Sequence, residues 1–193
     1  MILKDDNQST VTQDGELVIK TFKLGHEFYL DDYEKFKNTC NQFSEAYGHF
    51  PKIIECDINK IIMEKVNGET IDTTLRSGRL INFDEKCSFI KKMQYMYFKF
   101  ISNLLEYNIK HNTFISHNDL NRENMIIHDN KLICVDLDSI KIDRDPIEHN
   151  FITYGAHEIS QFIDDILRQS YEEKQKEHRN MIAKLKEELG KNK

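Results

Sequence analysis

At 193 residues, 31% of them charged and 39% hydrophobic, the chain is long enough to bury a core as one domain, or as two small lobes around a cleft. A formal net charge of −6 argues against a general nucleic-acid binder, and no apolar run approaches the length of a bilayer crossing. The opening MILKDDNQST has no basic-then-apolar leader, so a cytoplasmic protein is expected, in a host cytoplasm if the Lys-, Asn- and Ile-rich usage is that of a virus. Cys40, Cys56, Cys87 and Cys134 are scattered without C-x-x-C spacing and read as reduced thiols.

In chain order, Asp14-Gly15 is a hairpin turn between Ser9-Thr10-Val11-Thr12 and Glu16-Leu17-Val18-Ile19-Lys20, with Phe22 extending the second strand. Asp31 and Asp32 cap a helix whose apolar residues Tyr33, Phe36, Cys40 and Phe43 recur at spacings of three and four, and Gly48 ends it. An extended stretch begins at Pro51, and Asn59 to Val66 reads as a strand that Asn67-Gly68 breaks. Glu69 to Leu75 is a short connecting helix. Residues 84 to 109 form the longest amphipathic helix, with Ile90, Met93, Tyr97, Phe100, Ile101, Leu104 and Leu105 near one face. Ile127 to Asp129 and Lys131 to Asp136 are apolar segments around a His128-Asp129-Asn130 turn, a second hairpin. A last helical region starts near Ala156, and the charged stretch from Glu172 to Lys193 reads as a solvated helical tail that could also mediate self-association. Strands first, then mostly helices, is an α+β layout.

The chemistry concentrates around the second hairpin. His117-Asn118-Asp119-Leu120-Asn121-Arg122-Glu123-Asn124 fits H-x-D-x-x-x-x-N, in which the Asp takes the proton of an acceptor hydroxyl and the Asn holds a metal. Val135-Asp136-Leu137-Asp138 follows. The hairpin carries Asn124 at its entrance and Asp136 at its exit, bringing two hard-oxygen ligands together, as Mg²⁺ requires.

On these motifs the chain resembles the protein-kinase-like superfamily, especially reduced members such as aminoglycoside phosphotransferases and minimal bacterial, archaeal or viral kinases. The resemblance covers about residues 9 to 167 in order of elements, and its specific part is 117 to 138. It implies a two-lobed fold with a reduced N-lobe over 1–66, a hinge at 67–69, a truncated helical C-lobe over 70–170 and a tail over 171–193. It also implies ATP and Mg²⁺ as cofactors, Asp119 as catalytic base, and Asn124, Asp136 and Asp138 as metal ligands. Asp138 stands where many kinases have glycine. Lys20, in Val18-Ile19-Lys20, resembles the V-A-I-K lysine that contacts the α and β phosphates. Its implied partner is Glu34 on the following helix, ahead of Glu27 and Glu45. Glu64 and Val66, beside the hinge, would flank the nucleotide, and His117 would be scaffold beneath the loop.

The chain also departs from the pattern. Lys4 to Thr12 contain no glycine, so phosphate cover is expected from backbone or hydroxyl groups around Gln8, Ser9 and Thr10. Asn118 replaces the arginine that pairs with a phosphorylated activation loop. Arg122 either offsets phosphate charge or is solvated. The leading expectation is phosphotransfer to a hydroxyl, on a protein Ser/Thr ahead of a small alcohol. The alternatives are a nucleotide-binding pseudoenzyme, nucleotidyl transfer to protein, and an unrelated two-metal hydrolase built from Asp119, Asp136 and Asp138.

Overall fold

A computed structural model of the chain describes residues 1–77, 79–80, 83–117, 119–143, 176, 179 and 180. Five antiparallel strands form the first sheet: β1 (Ile2–Asp5), β2 (Ser9–Asp14), β3 (Leu17–Phe22), then, after helix α1 (Tyr33–Tyr47), β4 (Ile53–Cys56) and β5 (Lys60–Glu64). Their spatial order is β1-β2-β3-β5-β4. The linker leads through β6 (Glu69–Thr70) into α2 (Ile71–Arg76) and the long helix α3 (Phe83–His111). Then come β7 (Phe114–His117), β8 (Met125–His128), β9 (Lys131–Cys134), a 3₁₀ turn at Leu137–Ser139, and β10 (Ile140–Asp143). β6, β8 and β9 make a three-stranded sheet, and β10 pairs with β7. The α+β class holds. The expected helix from Ala156 and the tail over 171–193 lie outside the described residues, apart from 176, 179 and 180.

Local chemistry accounts for the element ends. Asp14 pairs with Leu17, so the two-residue loop is Gly15-Glu16, one position later than Asp14-Gly15 suggests. Gly15 has φ +58°, the sign that a II′ turn needs at its first loop position. The β8–β9 loop is Asp129-Asn130, with φ of +46° and +58°. Positive φ at both positions is the I′ pattern, which Asn and Asp tolerate better than other side chains. Asp32 caps α1 by accepting from Lys35 N at 2.9 Å, and Gly48, at φ +71°, closes it in the left-handed conformation.

The amphipathic faces fold inward as the spacing requires. Phe36, Cys40 and Phe43 of α1 are buried, as are Ile90, Met93, Tyr97, Phe100, Ile101 and Leu104 of α3. Phe43 packs against Phe50 at 4.8 Å between ring centroids and against Tyr107 at 5.4 Å. Burial of each such ring stabilises the fold by about 1.5–3 kcal/mol. The cluster anchors the second hairpin through buried His49. Its Nδ1 donates to Leu132 O at 2.7 Å, and Cys134 N donates to His49 O at 2.9 Å. Burial pulls the His49 pKa down, so the ring stays neutral, and its other nitrogen lies 2.9 Å from Asn103 Nδ2. All four cysteines are free.

Candidate functional site

The central strand β3 and the second hairpin face each other across a cavity of about 430 Å³, within the size range of small-molecule sites. Val11, Val18 and Met63 form one apolar wall, Ile126 and Val135 the other, and Glu64 at the end of β5 with Lys65 and Val66 of the linker closes one side. Lys20, Asn124 and Asp136 stand at the polar end. A second cavity of about 250 Å³ continues past Lys20 toward Phe22, Phe28 and Asp138, and Ser9 lines both.

Lys20 is the meeting point. Flanked by Val11 of β2 and Ile61 of β5, it sends Nζ to Asp136 Oδ1 at 2.6 Å and to Asp138 Oδ1 at 2.5 Å. Those partners are 116 and 118 residues away in sequence. Burial works against the lysine's charge, but the two carboxylates outweigh it and raise its pKa. Burial also opposes charge on Asp136, yet Lys20 holds that carboxyl below its usual range. Asp138 is pushed up, first by burial and then by the negative charge of Asp136. Two carboxylates therefore share one cation and titrate apart.

Asp119, Asn121 and Asn124 form a tight polar loop. Asn124 Nδ2 lies 3.0 Å from Asp119 Oδ2 and 3.3 Å from Asp136 Oδ2. A half-turn of the amide would put its oxygen there instead, beside the carboxylate. Asn121 donates to Asp119 Oδ1 at 2.8 Å, while its Oδ1 accepts from Glu123 N and Asn124 N. This Asx turn went unread in the sequence, although an Asn shortly before a strand entrance is a signal for one. His117 is buried, with Nδ1 accepting from Asp119 N at 3.1 Å. That leaves Nε2 as the donor to Asp136 O at 2.9 Å. One neutral imidazole, its pKa lowered by burial, thus joins the backbones of Asp119 and Asp136.

Three sequence expectations need correction. Glu34 does not meet Lys20: it is exposed on the outer side of α1 and pairs with Lys37 at 2.7 Å. The inward positions of that helix are the apolar Phe36, Cys40 and Phe43, so the lysine takes its counter-charges from the hairpin. Thr10 faces the side of β2 opposite Ser9 and Val11 and donates to Asp5 Oδ1 at 2.9 Å. The Gln8 and Ser9 N–H groups, expected to cover phosphate, are both bound to Asp6 Oδ1 at 2.8 Å. Arg122 is neither solvated nor directed at the cavity; it is paired with Asp72 at 2.7 Å. Asn118 lies outside the described residues.

Among the described residues, no three His, Cys, Asp or Glu side chains converge for a metal, so the all-carboxylate set of a two-metal hydrolase is not assembled. The available donor set is two carboxylates and an amide. Among the described residues, no helix is long and apolar enough to cross a membrane.

No family model matches the chain, and no curated protein matches it. Among solved structures it is similar to the complex of Rv3197 with erythromycin from Mycobacterium tuberculosis, at a TM-score of 0.51 and 12% identity. The match covers 75% of this chain and 46% of that one, so the chain spans less than half of its counterpart's length. At this identity the likeness is one of fold alone.

Proposed function

We propose that the chain is an ATP- and Mg²⁺-dependent phosphotransferase on a two-lobed, protein-kinase-like fold, moving a γ-phosphate to a hydroxyl, with a protein serine or threonine as the first acceptor to test and a small alcohol as the second. One observation carries this reading. A sheet lysine and the acidic pair at a hairpin exit, more than a hundred residues apart, converge at the polar end of an apolar cavity.

The residues present suit the roles. The apolar walls of Val11, Val18, Met63, Ile126 and Val135 accept the flat face of a base. Lys20, kept protonated by its carboxylate neighbours, supplies a fixed positive charge for phosphate oxygens. Asp136, Asp138 and an oxygen-presenting Asn124 would hold Mg²⁺, which when bound neutralises charge on the transferring phosphoryl group. Asp119 is exposed and is oriented by Asn121, so it is open to an incoming hydroxyl and accepts its proton. Most of the rate gain then comes from positioning and charge, with the base adding about 10²–10⁴-fold.

A second reading, a nucleotide-binding protein without transfer, is favoured by one specific observation. The N–H groups of Gln8 and Ser9 are bound to Asp6 and do not face the cavity as a phosphate cradle. Incubation with γ-labelled ATP and Mg²⁺, alone and with lysate, separates the two. Label on a protein or small molecule supports transfer. A nucleotide-dependent rise in Tm without label selects the binding protein, and a mass gain of AMP selects nucleotidyl transfer.

A further inference from the structure

The loop between Asp119 and Asn124 is held from outside as well as from within. At its middle, Arg122 Nε meets Asp72 Oδ1 at 2.7 Å, and Arg122 O accepts from Asp72 N at 3.2 Å. Asp72 is only 8% exposed, and its other oxygen takes Arg76 Nε at 3.0 Å. We propose that Asp72 and Arg122 are a positioning pair, tying the catalytic loop to the linker wall of the nucleotide cavity; this rests on the phosphotransfer reading above.

The path is short and continuous. Glu64 and Val66 line the cavity, as does Thr70, two residues before Asp72. Thr70 pairs with Ile126 of β8, and its side chain caps α2 by accepting from Thr73 N at 3.0 Å. Asp72 therefore sits on a fixed first turn, and both its backbone and its carboxylate grip one residue of the loop. Arg122 is three residues from Asp119 and two from Asn124, so a shift of its backbone moves both. Ion pairs withdrawn from water seldom add net stability compared with apolar packing. What this one supplies is geometry, because the ion pair and the hydrogen bond from Asp72 N to Arg122 O hold the same loop residue at two points.

The test uses the full chain with Asp72→Asn, Arg122→Gln and Arg122→Lys, read by amide hydrogen exchange across 117–125, by Mg²⁺-ATP affinity and by turnover. In Asp72→Asn and Arg122→Gln, exchange in the loop should rise about tenfold while the core of α3 stays protected. ATP affinity should hold within about threefold and kcat should fall about 10²-fold, the penalty for misplacing a reacting group by an ångström. Arg122→Lys should recover part of the lost kcat. Unchanged loop exchange in a folded variant overturns the proposal, as does a kcat loss matched by equal losses of affinity and Tm. If Asp72→Asn does not fold, Arg122→Gln decides alone. The exchange measurement needs no turnover, so a wild-type chain that transfers nothing defeats the phosphotransfer reading and still leaves this pair to be judged.

Discussion

Two hairpins face each other across the larger cavity, β2–β3 and β8–β9. In the first, Ser9 is the one buried residue of the two strands, and the turn ends in solvent. In the second, Met125, Leu132 and Cys134 are fully buried and Ile133 nearly so, with His49 holding β9 from behind. The deep hairpin has Asn124 just before it and Asp136 just after it, and the shallow one carries Lys20. Local opening costs less where fewer apolar groups are buried. The division therefore places Asp136 beside the more firmly held hairpin and Lys20 on the one that opens at less cost.

If that division governs function, changes on the deep side should be the most damaging. Asp136→Ala should abolish Mg²⁺-ATP binding by calorimetry and lower transfer by about 10³-fold or more, because it removes the proposed oxygen ligand and leaves Lys20 with Asp138 alone. Retained binding would remove Asp136 from the site. Asp119→Asn comes next. It keeps the side chain's size and one oxygen for Asn121, gives up the acceptor that faces Asn124, and removes the charge proposed to take the proton, so affinity should stay within about threefold while kcat falls about 10²–10⁴-fold. Equal losses in kcat and affinity would mean that Asp119 holds the nucleotide and is not the base.

The linker between the two hairpins is the third place to press. Gly68 has φ +142°, and a Cβ there would clash with Ile127 O and sit 2.8 Å from Ile126 Cγ2. Both obstacles belong to β8, one of them backbone. Gly68→Ala should cost about 2–3 kcal/mol in denaturant unfolding and should weaken ATP binding through the displaced linker. A neutral result would show that the linker is free to part from the hairpin.

How much of this was legible beforehand follows from which signals are local. The buried faces of α1 and α3, both hairpins and the Asp32 cap came from periodicity and turn chemistry, which neighbouring residues decide. That Lys20 and Asp136 border one cleft followed only from the resemblance, which sets the early strand lysine opposite the 117–138 segment; the direct contacts to Asp136 and Asp138 come from the structure. The partner of Lys20 was not legible. Glu34 lies in the right element, but its place on the outer side of α1 depends on which residues the sheet buries. Strand β1 was missed because all four of its residues are exposed and carry no alternation. The β7–β10 pairing was missed because the second hairpin intervenes between its two strands, Phe114–His117 and Ile140–Asp143, a separation no short window spans. Arg122 looked ambiguous because its partner, Asp72, is in another element.

Electrostatics across the cavity offers a fourth comparison. Lys20 has a folded-state pKa raised above the ordinary 10.5. Its contribution to stability is therefore fully present below that ordinary value and is lost as pH rises through the raised one. Chemical denaturation at alkaline pH, carried upward through the ordinary lysine range, should show a steeper fall for wild type than for Lys20→Met. Parallel curves would mean that the shallow hairpin's lysine is not held by the carboxylates opposite.

The smallest effects distinguish the two turns. Gly15 has φ +58°, and nothing lies within 4 Å of the point a Cβ would occupy, so Gly15→Ala meets no clash and costs only the strain of an L residue at positive φ, about 1–2 kcal/mol. Asn130, at φ +58°, already carries a side chain in that region, so Asn130→Gly should be neutral or stabilising by under about 1 kcal/mol. If burial rather than turn chemistry sets the behaviour of each hairpin, the two substitutions should also differ in reach. The Gly15→Ala cost should speed exchange in β2 and β3 without touching ATP affinity. Any gain at Asn130→Gly should leave exchange in β8 and β9 unchanged, because Leu132, Cys134 and His49 already hold those strands. Faster exchange at Met125 to Cys134 in either variant would show that the deep hairpin depends on its turn after all.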